Sequence, residues 1–285
     1  MSNAPATVKH VLESGAAFLG TREIQEARLK CELLAARLLQ CPRLELYMRF
    51  DHVLSDAHVA AMRRGLKRLA AGEPVQHILG EVEFHGHVYK VDPRALIPRP
   101  ETELLVEAVL AWEDIGADAL VVDVGTGSGC IVISLALARP TLRCIGLDVS
   151  TDALALAQEN AAARGVEERI AFSSAHLSDC VEPESVAAIV ANLPYIASAE
   201  CESLPQDVRE HDPRSALDGG ADGLAVIRDV VPDAAIVLRP GGRIFLEIGA
   251  DQAAAVRGIL EAEGFSDVMI SQDLAGRDRI AVGTI

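Results

Sequence analysis

Aromatic side chains are scarce in this sequence: they make up 4% of its 285 residues and include a single tryptophan. Hydrophobic residues nevertheless account for 50% of the chain. A core of this composition has to be built from alanine, leucine, valine and isoleucine, which is typical of helices packed on a buried sheet. The composition excludes a disordered or collagen-like chain, and the length favours two domains over one.

Long apolar runs are also missing, since no stretch of about 18 apolar residues is present. The first residues, Met1-Ser2-Asn3-Ala4-Pro5, lack the basic-then-apolar order of a secretory signal peptide. The six cysteines form no C-x-x-C pair and no Cys/His cluster, so they predict neither a zinc site nor a disulfide framework. We therefore expect a cytoplasmic protein with no metal centre and no membrane anchor.

Basic residues are few compared with acidic ones: the sequence has 26 lysines and arginines and 42 aspartates and glutamates, which gives a net charge of −16. Nucleic acids and anionic membranes attract proteins through positive charge, so this balance argues against both as general partners. The deficit is uneven: residues 1–80 carry a net charge of +3 and residues 81–285 carry −19. The two parts of the chain are therefore expected to have different tasks.

The spacing of apolar residues divides the chain into three parts. Residues 1–80 show only helical periods, with helices predicted to begin after Thr21 and Ser55 as N-caps, and predict a small helical bundle. Residues 81–98 change to a period of two around His85-Gly86-His87, which predicts a β-hairpin that links two domains. The two histidines resemble a metal pair, but no third ligand follows at metal spacing, which favours an exposed turn.

Residues 99–285 alternate between strands and helices. Strands are predicted at 119–124, 143–148, 169–173, 186–192, 243–248, 267–271 and 279–283. Such alternation gives an α/β fold: a doubly wound, mostly parallel, Rossmann-like sheet of seven strands covered by helices on both faces. Its ligand crevice is expected at the carboxyl ends of the central strands.

The first of these strands ends in a glycine-rich turn, Asp123-Val-Gly-Thr-Gly-Ser-Gly129, that opens a helix. The spacing G-x-G-x-G differs from the G-x-G-x-x-G of dinucleotide-binding proteins, which disfavours NAD. The second strand ends at Asp148, whose carboxylate can accept hydrogen bonds from both ribose hydroxyls of a nucleoside. These features predict a site for a nucleoside without a pyrophosphate; the alternative is a structural turn beside a surface aspartate.

The fourth strand delivers a second unusual turn, Asn192-Leu193-Pro194-Tyr195, to the same edge of the sheet. Pro194 biases Leu193 toward an extended backbone, so the Leu193 carbonyl and the Asn192 side-chain oxygen can face one ligand. Two acceptors suit an NH₂ group on a planar substrate, because hydrogen bonds to both of its hydrogens leave the nitrogen lone pair directed out of the substrate plane. Tyr195 is expected to cover the planar face of the substrate. Asn192, Pro194 and Tyr195 are the predicted catalytic residues, and Leu193 joins them in binding substrate; an ordinary strand-ending turn is the alternative.

The Asn-x-Pro-Tyr turn, together with VDVGTGSG and Asp148, resembles the amino-group class of S-adenosylmethionine-dependent methyltransferases. Four further segments, which begin at Gly72, Leu96, Leu217 and Asp273, resemble the release factor glutamine methyltransferases: GEPVQHILGEVEF, LIPRPETELLVE, LDGGADGL and DLAGRDR. This resemblance covers nearly the whole chain. It implies methylation of the side-chain nitrogen (N5) of the glutamine in the Gly-Gly-Gln loop of peptide chain release factors. The bundle of residues 1–80 would grip the release factor, and residues 99–285 would form the catalytic domain.

The resemblance also assigns residues to the cofactor, S-adenosyl-L-methionine. The turn is implied to wrap its methionine and ribose portions through Gly125, Thr126, Gly127, Ser128 and Gly129. Asp148 would hold the ribose, and Asn192 would lie between cofactor and substrate. The sequence departs from the family pattern in two places. Leu193 stands where the family usually has a first proline, and Ser174-Ala175-His176 stands where an aspartate followed by an aromatic residue commonly lines the adenine. His176 is the candidate for stacking on the adenine.

Two other functions remain open at this point. One is methylation of adenine N6 in a nucleic acid, because the exocyclic NH₂ of adenine would present the same two hydrogens to this turn. Such an enzyme needs a basic surface, and the net charge of −19 over residues 81–285 opposes it. A non-catalytic nucleoside-binding scaffold would keep the fold, and the presence of Asn192, Pro194 and Tyr195 opposes it. For the amide reaction, positioning is expected to supply most of the rate, with no covalent intermediate and no metal.

Overall fold

The structure, a computed structural model, describes residues 6–285. These residues fall into two compact units: one comprises the chain up to Gly80 together with Pro205–His211, and the other comprises Glu81–Leu204 and Asp212–Ile285. The first five residues, on which the signal-peptide argument rests, lie outside the described part. Within residues 6–285, no helix combines the length and the apolar character needed to cross a bilayer.

The first unit is helical, as its periodicity predicts. Its helices are α1 Val8–Gly20, α2 Ala27–Leu39, α3 Asp56–Ala70, α4 Val75–Leu79 and the short α9 Gln206–Arg209. Leucine, valine and alanine side chains of α1 to α4 supply most of its core. The segment 205–211 belongs to this unit, where the ring of His211 meets the ring of His77 edge-on at 6.4 Å.

The two predicted N-caps in this unit have different outcomes. Ser55 caps α3, because its hydroxyl accepts a hydrogen bond from the backbone N–H of His58 at 3.2 Å. The N-cap predicted at Thr21 is wrong. Thr21 instead follows the end of α1, where its hydroxyl donates to the carbonyl of Phe18 at 2.8 Å. Helix α2 begins six residues later, after Glu26 in a left-handed conformation.

The second unit is built on the predicted seven-stranded sheet. Its strands are β3 Leu120–Val124, β4 Arg143–Leu147, β5 Ile170–Ser173, β6 Val186–Ala191, β7 Leu238–Glu247, β8 Ser266–Gln272 and β9 Asp278–Thr284. Their order across the sheet is β5-β4-β3-β6-β7-β9-β8. The first five strands in that order run parallel, and β9 is antiparallel to both β7 and β8. The predicted α/β class and mostly parallel sheet are confirmed.

Helices cover both faces of this sheet. They are α5 Glu103–Leu110, α6 Cys130–Ala138, α7 Thr151–Arg164, α8 Leu177–Cys180, α10 Ala225–Val237 and α11 Ala253–Ala262. Successive strand residues point to opposite faces, so Val121 packs with α5 and α6 while Val122 packs with α10 and α11. The strand order reverses between β3 and β6, which places a ligand crevice at their carboxyl ends.

Residues 81–98 form the predicted hairpin, with β1 Glu81–Phe84 paired to β2 His87–Lys90, and then a loop. The sequence pattern predicts that this hairpin links two domains, whereas in the structure it belongs to the second unit. Buried polar contacts hold it there: the hydroxyl of Tyr89 lies 2.7 Å from that of Ser134 on α6, and Asn160 of α7 bonds both backbone groups of Lys90. Among the described residues, no three side chains cluster as metal ligands.

Candidate active site

The glycine turn after β3 adopts a backbone that favours glycine. Gly125, Gly127 and Gly129 have φ angles of +74°, +55° and +81°, in the left-handed region that side chains rarely allow. The turn is tied to the neighbouring strand, because the N–H groups of Gly125 and Thr126 both donate to the carbonyl of Leu147 at 2.8 Å. At its glycines the turn therefore exposes backbone without a side chain, and Gly125 and Gly127 line the crevice in this way.

Asp148 follows β4 and is fixed by backbone donors on both of its oxygens. The N–H of Gly127 donates to Oδ2, and the N–H of Ser150 donates to Oδ1, each at 2.9 Å. A carboxylate oxygen can accept two hydrogen bonds, so each oxygen keeps one acceptor position for a ligand. The structure therefore brings Asp148 against the glycine turn with two acceptors oriented in advance.

Two residues of the turn use their polar groups to hold its shape. The hydroxyl of Thr126 donates to Oδ2 of the fully buried Asp123 at 2.7 Å, and the carbonyl of Ser128 accepts from Asn160 at 2.9 Å. Burial raises the pKa of Asp123 to about 7, although its hydrogen bond from Thr126 acts in the opposite direction. Among the predicted cofactor residues, the side chain of Thr126 thus supports the turn from behind.

The turn after β6 carries a network of polar side chains that the sequence does not predict. Nδ2 of Asn192 donates to Oγ1 of Thr102 at 3.1 Å, and the Thr102 hydroxyl donates to Oε2 of Glu247 at 2.7 Å. The hydroxyl of Tyr195 donates to Oε1 of the same carboxylate at 3.2 Å. Glu247 ends β7, and its register beside β6 places it next to Asn192. One buried carboxylate therefore connects two of the predicted catalytic residues.

Burial dominates the electrostatics of this network. Glu247 is 2% exposed, and burial raises the pKa of its carboxyl, while the hydroxyl of Thr102 and the charge of Arg279 favour the ionised form. Burial, with the nearby negative charge of Glu247, raises the pKa of Tyr195 to about 12. Tyr195 therefore remains a neutral hydrogen-bond donor throughout the physiological range.

A second glycine-rich segment lies behind the Asn192–Tyr195 turn. A Cβ at Gly219 would lie 2.5 Å from the carbonyl oxygen of Pro194, and one at Gly223 would lie 2.3 Å from that of Tyr195. The side chain of Gln252 completes this support, because Nε2 donates to the Tyr195 carbonyl at 2.9 Å. The segment LDGGADGL therefore needs glycine at these positions so that backbone can pack directly against backbone.

A cavity of about 390 Å³ opens at the carboxyl ends of β3, β4 and β6. Pockets of this size commonly hold small ligands. Its wall includes the glycine turn and Asp148 on one side, and Asn192, Leu193 and Pro194 on the other. Ala175 and an exposed His176 line it as well, together with apolar residues of α10.

The structure thus gathers most of the predicted site residues around one space. Gly125, Thr126, Gly127 and Ser128 of the glycine turn line the cavity, whereas Gly129 does not. Asp148 and His176 line it too, as do the first three residues of the predicted catalytic turn, Asn192–Tyr195, which is called the catalytic turn below. Tyr195 is not part of the cavity wall that the described residues form, since its hydroxyl is directed to Glu247. Thr102 and Glu247 are the polar residues that the sequence-based prediction misses, and a carboxylate ending an apolar strand, as in Phe-Leu-Glu247, is the pattern that marks one of them.

Comparisons with known proteins bear on both units. The model of the PrmC N-terminal domain matches residues 10–80, and that of the methyltransferase small domain matches residues 100–207. Among solved structures, a ribosomal protein L11 methylase from Lactobacillus delbrueckii subsp. bulgaricus is similar with a TM-score of 0.50. It is 21% identical, with 68% of this chain and 82% of that chain covered, so the likeness concerns the fold alone.

Curated relatives match along the whole chain. A release factor glutamine methyltransferase of Geobacter sulfurreducens is 40% identical over 279 residues, which are 98% of this chain and 97% of that protein. One from Chlorobaculum tepidum is also 40% identical, with 96% and 95% covered, and one from Cereibacter sphaeroides is 41% identical, with 92% of each covered. Identity at this level over nearly the full length confirms the resemblance, and the chain belongs to the release factor glutamine methyltransferase family.

Proposed function

We propose that this protein transfers the methyl group of S-adenosyl-L-methionine to the side-chain amide nitrogen of the glutamine in the Gly-Gly-Gln loop of peptide chain release factors. One observation carries the proposal: the Asn192–Pro194 turn lines the same cavity as the glycine turn and Asp148. An amide-binding group and a nucleoside-binding group thus share one space. The names of the full-length relatives specify the substrate, a release factor glutamine.

The residues present fit this cofactor. The two free acceptor positions of Asp148 suit the two ribose hydroxyls, and Gly127, which bonds Asp148, gives the ligand access to bare backbone. The arginines of the cavity wall are paired with carboxylates, Arg94 with Asp92 at 2.8 Å and Arg99 with the buried Asp212 at 2.6 Å. With these arginines paired and the carboxyl group of Asp148 on the cavity wall, the cavity suits a cationic sulfonium.

The adenine would lie at the end of the cavity formed by Ala175, His176 and α10. Val226 and Val230 supply an apolar surface there, and His176 is the aromatic residue placed to stack. The family's usual aspartate is absent at this end, so contacts to the adenine would come mainly from apolar surface and from the His176 ring.

The substrate amide would be held by two acceptors. Asn192 directs Nδ2 to Thr102, which leaves Oδ1 to accept one hydrogen of the glutamine NH₂, and the Leu193 carbonyl would accept the other. Pro194 restrains the backbone that carries this carbonyl. With both hydrogens held in the amide plane, the nitrogen lone pair is directed out of that plane.

The bound cofactor supplies an electrophilic methyl group on its sulfonium. The residues of the turn orient the substrate amide toward this methyl group. Reactants held in such a near-attack geometry react as in a unimolecular step, which lowers the barrier. Tyr195, held by Glu247 at its hydroxyl and by Gln252 at its carbonyl, fixes the end of the turn. Transfer would form the N–CH₃ bond as the S–CH₃ bond breaks, leaving a neutral thioether. The methylated amide nitrogen is strongly acidic and would release its proton to solvent, and until then Oδ1 of Asn192 and the Leu193 carbonyl would hold its two hydrogens as hydrogen-bond acceptors.

We further propose that the first unit docks the release factor. Arg63, Arg64 and Lys67 are exposed on α3, whereas Arg68 is paired with Glu73. A positive face of this kind would steer an acidic partner surface. Neutralising the first three residues is expected to slow association with the release factor at low salt and to have little effect at 1 M salt, where the Debye length falls to about 3 Å. Equal association rates of variant and wild type at every salt concentration would contradict this role.

The proposed substrate places the protein where translation occurs, in the cytoplasm. Nucleic acid is not expected as a direct partner, because residues 81–285 carry a charge of −19. This charge opposes the adenine N6-methyltransferase alternative. The presence of Asn192, Pro194 and Tyr195 opposes the non-catalytic scaffold.

The experiment that tests this function offers labelled S-adenosylmethionine with a release factor in one reaction and bulk RNA in another. We expect label on the release factor alone, in the peptide that contains Gly-Gly-Gln. Label in the RNA, or on another residue of the release factor, would contradict the proposal. The Asn192→Ala variant serves as the control, since it leaves the glycine turn and Asp148 unaltered and should keep some cofactor affinity.

A further inference from the structure

The Asn192 carboxamide is held by buried side chains from two distant parts of the chain. Thr102 lies at the end of a 3-10 helix, Pro100–Thr102, and Glu247 at the end of β7. Each is 2% exposed. The three groups form a continuous series: Asn192 Nδ2 to Thr102 Oγ1 at 3.1 Å, and Thr102 Oγ1 to Glu247 Oε2 at 2.7 Å.

The direction of these hydrogen bonds is determined by chemistry. Both oxygens of the Glu247 carboxyl group act as acceptors, Oε2 from the hydroxyl of Thr102 and Oε1 from the hydroxyl of Tyr195. Thr102 has a single hydroxyl proton, which it donates to Glu247, so its oxygen must accept from Asn192. The NH₂ of Asn192 therefore faces Thr102, and its Oδ1 faces away.

This orientation matters because a carboxamide is nearly symmetric in shape but not in polarity. If the Asn192 group turned by 180°, it would present NH₂ where the substrate amide also presents NH₂. Two donors facing each other cannot form a hydrogen bond, and binding would lose the acceptor that orients the reacting nitrogen. The side chain of Asn192 alone does not select between the two orientations.

We propose that Thr102 and Glu247 are positioning residues, which fix the polarity of the Asn192 carboxamide so that it accepts from the substrate glutamine. This inference rests on the proposed function. Glu247 also holds the hydroxyl of Tyr195, and it thereby connects both ends of the catalytic turn to one buried acceptor. Neither Thr102 nor Glu247 needs to touch the reacting atoms for this role.

Three substitutions separate polarity from shape. Thr102→Val keeps the shape and removes the hydroxyl, Thr102→Ser keeps the hydroxyl, and Glu247→Gln keeps the shape but introduces a donor. We expect kcat for release factor methylation to fall at least tenfold in Thr102→Val and Glu247→Gln, and to stay within threefold of wild type in Thr102→Ser. Cofactor Kd is expected to change less than threefold in all three, because the glycine turn and Asp148 are unaltered.

A matched control removes a buried hydrogen bond elsewhere in the same unit. Ser134→Ala deletes the partner of the Tyr89 hydroxyl, 2.7 Å away, in the contact between hairpin and α6. We expect it to lower the midpoint of urea unfolding without changing kcat. If it lowers kcat as much as Thr102→Val does, the effect is one of general destabilisation and the proposal is overturned.

A second measurement does not depend on the substrate. In nuclear magnetic resonance spectra of the free enzyme, the side-chain NH₂ of Asn192, assigned by its loss in Asn192→Ala, should exchange slowly with solvent in wild type and Thr102→Ser. Exchange should be at least tenfold faster in Thr102→Val. Equal exchange rates in wild type and Thr102→Val would overturn the proposal, and so would a kcat of Thr102→Val within threefold of wild type. If wild type transfers no methyl group to the release factor, the proposed function fails, and the exchange rates still decide the positioning role. Should Thr102→Val fail to fold, Thr102→Ala is measured by the same criteria.

Discussion

Gly223→Ala is expected to lower kcat more than an alanine placed at another glycine with the same backbone conformation would. Gly223 has a φ of +74°, and a Cβ placed on it would lie 2.3 Å from the carbonyl oxygen of Tyr195 and 2.7 Å from Nε2 of Gln252. Gly241 provides a matched control, because its φ of +76° is nearly the same and a Cβ on it would meet nothing within 4 Å. Comparing the two alanine variants isolates the packing against the catalytic turn.

The expected magnitudes follow from these contacts. A side chain in the left-handed region costs about 1–2 kcal/mol, which both variants share. Overpacking a filled site adds typically ~1–3 kcal/mol, and only Gly223→Ala incurs it. To restore a separation of 3.0 Å from 2.3 Å, the Tyr195 carbonyl has to move by about 0.7 Å. A misplacement of about 1 Å can lower a rate about a hundredfold, so a loss of at least tenfold in kcat is expected.

The assay combines urea unfolding with methylation kinetics on a release factor for both variants. We expect Gly241→Ala to lose stability but keep the wild-type kcat, and Gly223→Ala to lose more stability and at least tenfold in kcat. Equal stability of the two variants together with a wild-type kcat for Gly223→Ala would refute the idea that the second glycine-rich segment supports the catalytic turn.

Three other substitutions test separate parts of the site. Asp148→Ala should weaken cofactor binding by roughly 1.5–3 kcal/mol, the range for hydrogen bonds to charged groups, and unchanged affinity in calorimetry would contradict its role. Burial raises the pKa of Asp123 from 3.8 to about 7, so the native state holds this proton more tightly than the unfolded chain. The free energy of unfolding should therefore fall as pH rises from 3.8 through about 7, and Asp123→Asn should lack this component; parallel pH profiles of urea unfolding would contradict it. Leu193→Pro should keep kcat within tenfold, because Pro194 already favours an extended backbone, but it should lower stability by ~1 kcal/mol because Leu193 is buried in the core. A larger loss of kcat would show that the Leu193 side chain or N–H has its own part in catalysis.

The sequence predicts the second unit well because its elements are defined locally. Apolar runs ending in glycine or aspartate mark the strands, and their carboxyl ends converge because the alternation with helices forces a parallel sheet. The wrong N-cap at Thr21 has the opposite cause. Thr21 has a capping side chain, but the turn between α1 and α2 extends to Glu26, and the apolar period does not fix its length.

The polar support of the catalytic turn could not be predicted because it depends on contacts between distant residues. Thr102 and Glu247 are 145 positions apart. Thr102 lies in the segment LIPRPETELLVE and Glu247 ends an apolar strand, but neither pattern shows that the two side chains meet. The position of Tyr195 has a similar origin. The sequence predicts that its ring covers the substrate, whereas in the structure Tyr195 is not among the residues that line the cavity. Its hydroxyl donates to Glu247, a partner that the register of β6 and β7 brings near.

Fragmentation mass spectrometry can locate the methyl group on a release factor after reaction with wild-type enzyme and with Asn192→Ala, and it thereby tests whether the protein methylates the Gly-Gly-Gln glutamine. We expect one methyl group on the side-chain nitrogen of the Gly-Gly-Gln glutamine, and none when that glutamine is replaced by glutamate. Asn192→Ala should bind cofactor but lose about 2.7–4 kcal/mol of transition-state stabilisation. A methyl group at any other atom would contradict the proposed function, and near-normal turnover by Asn192→Ala would contradict the role of Asn192.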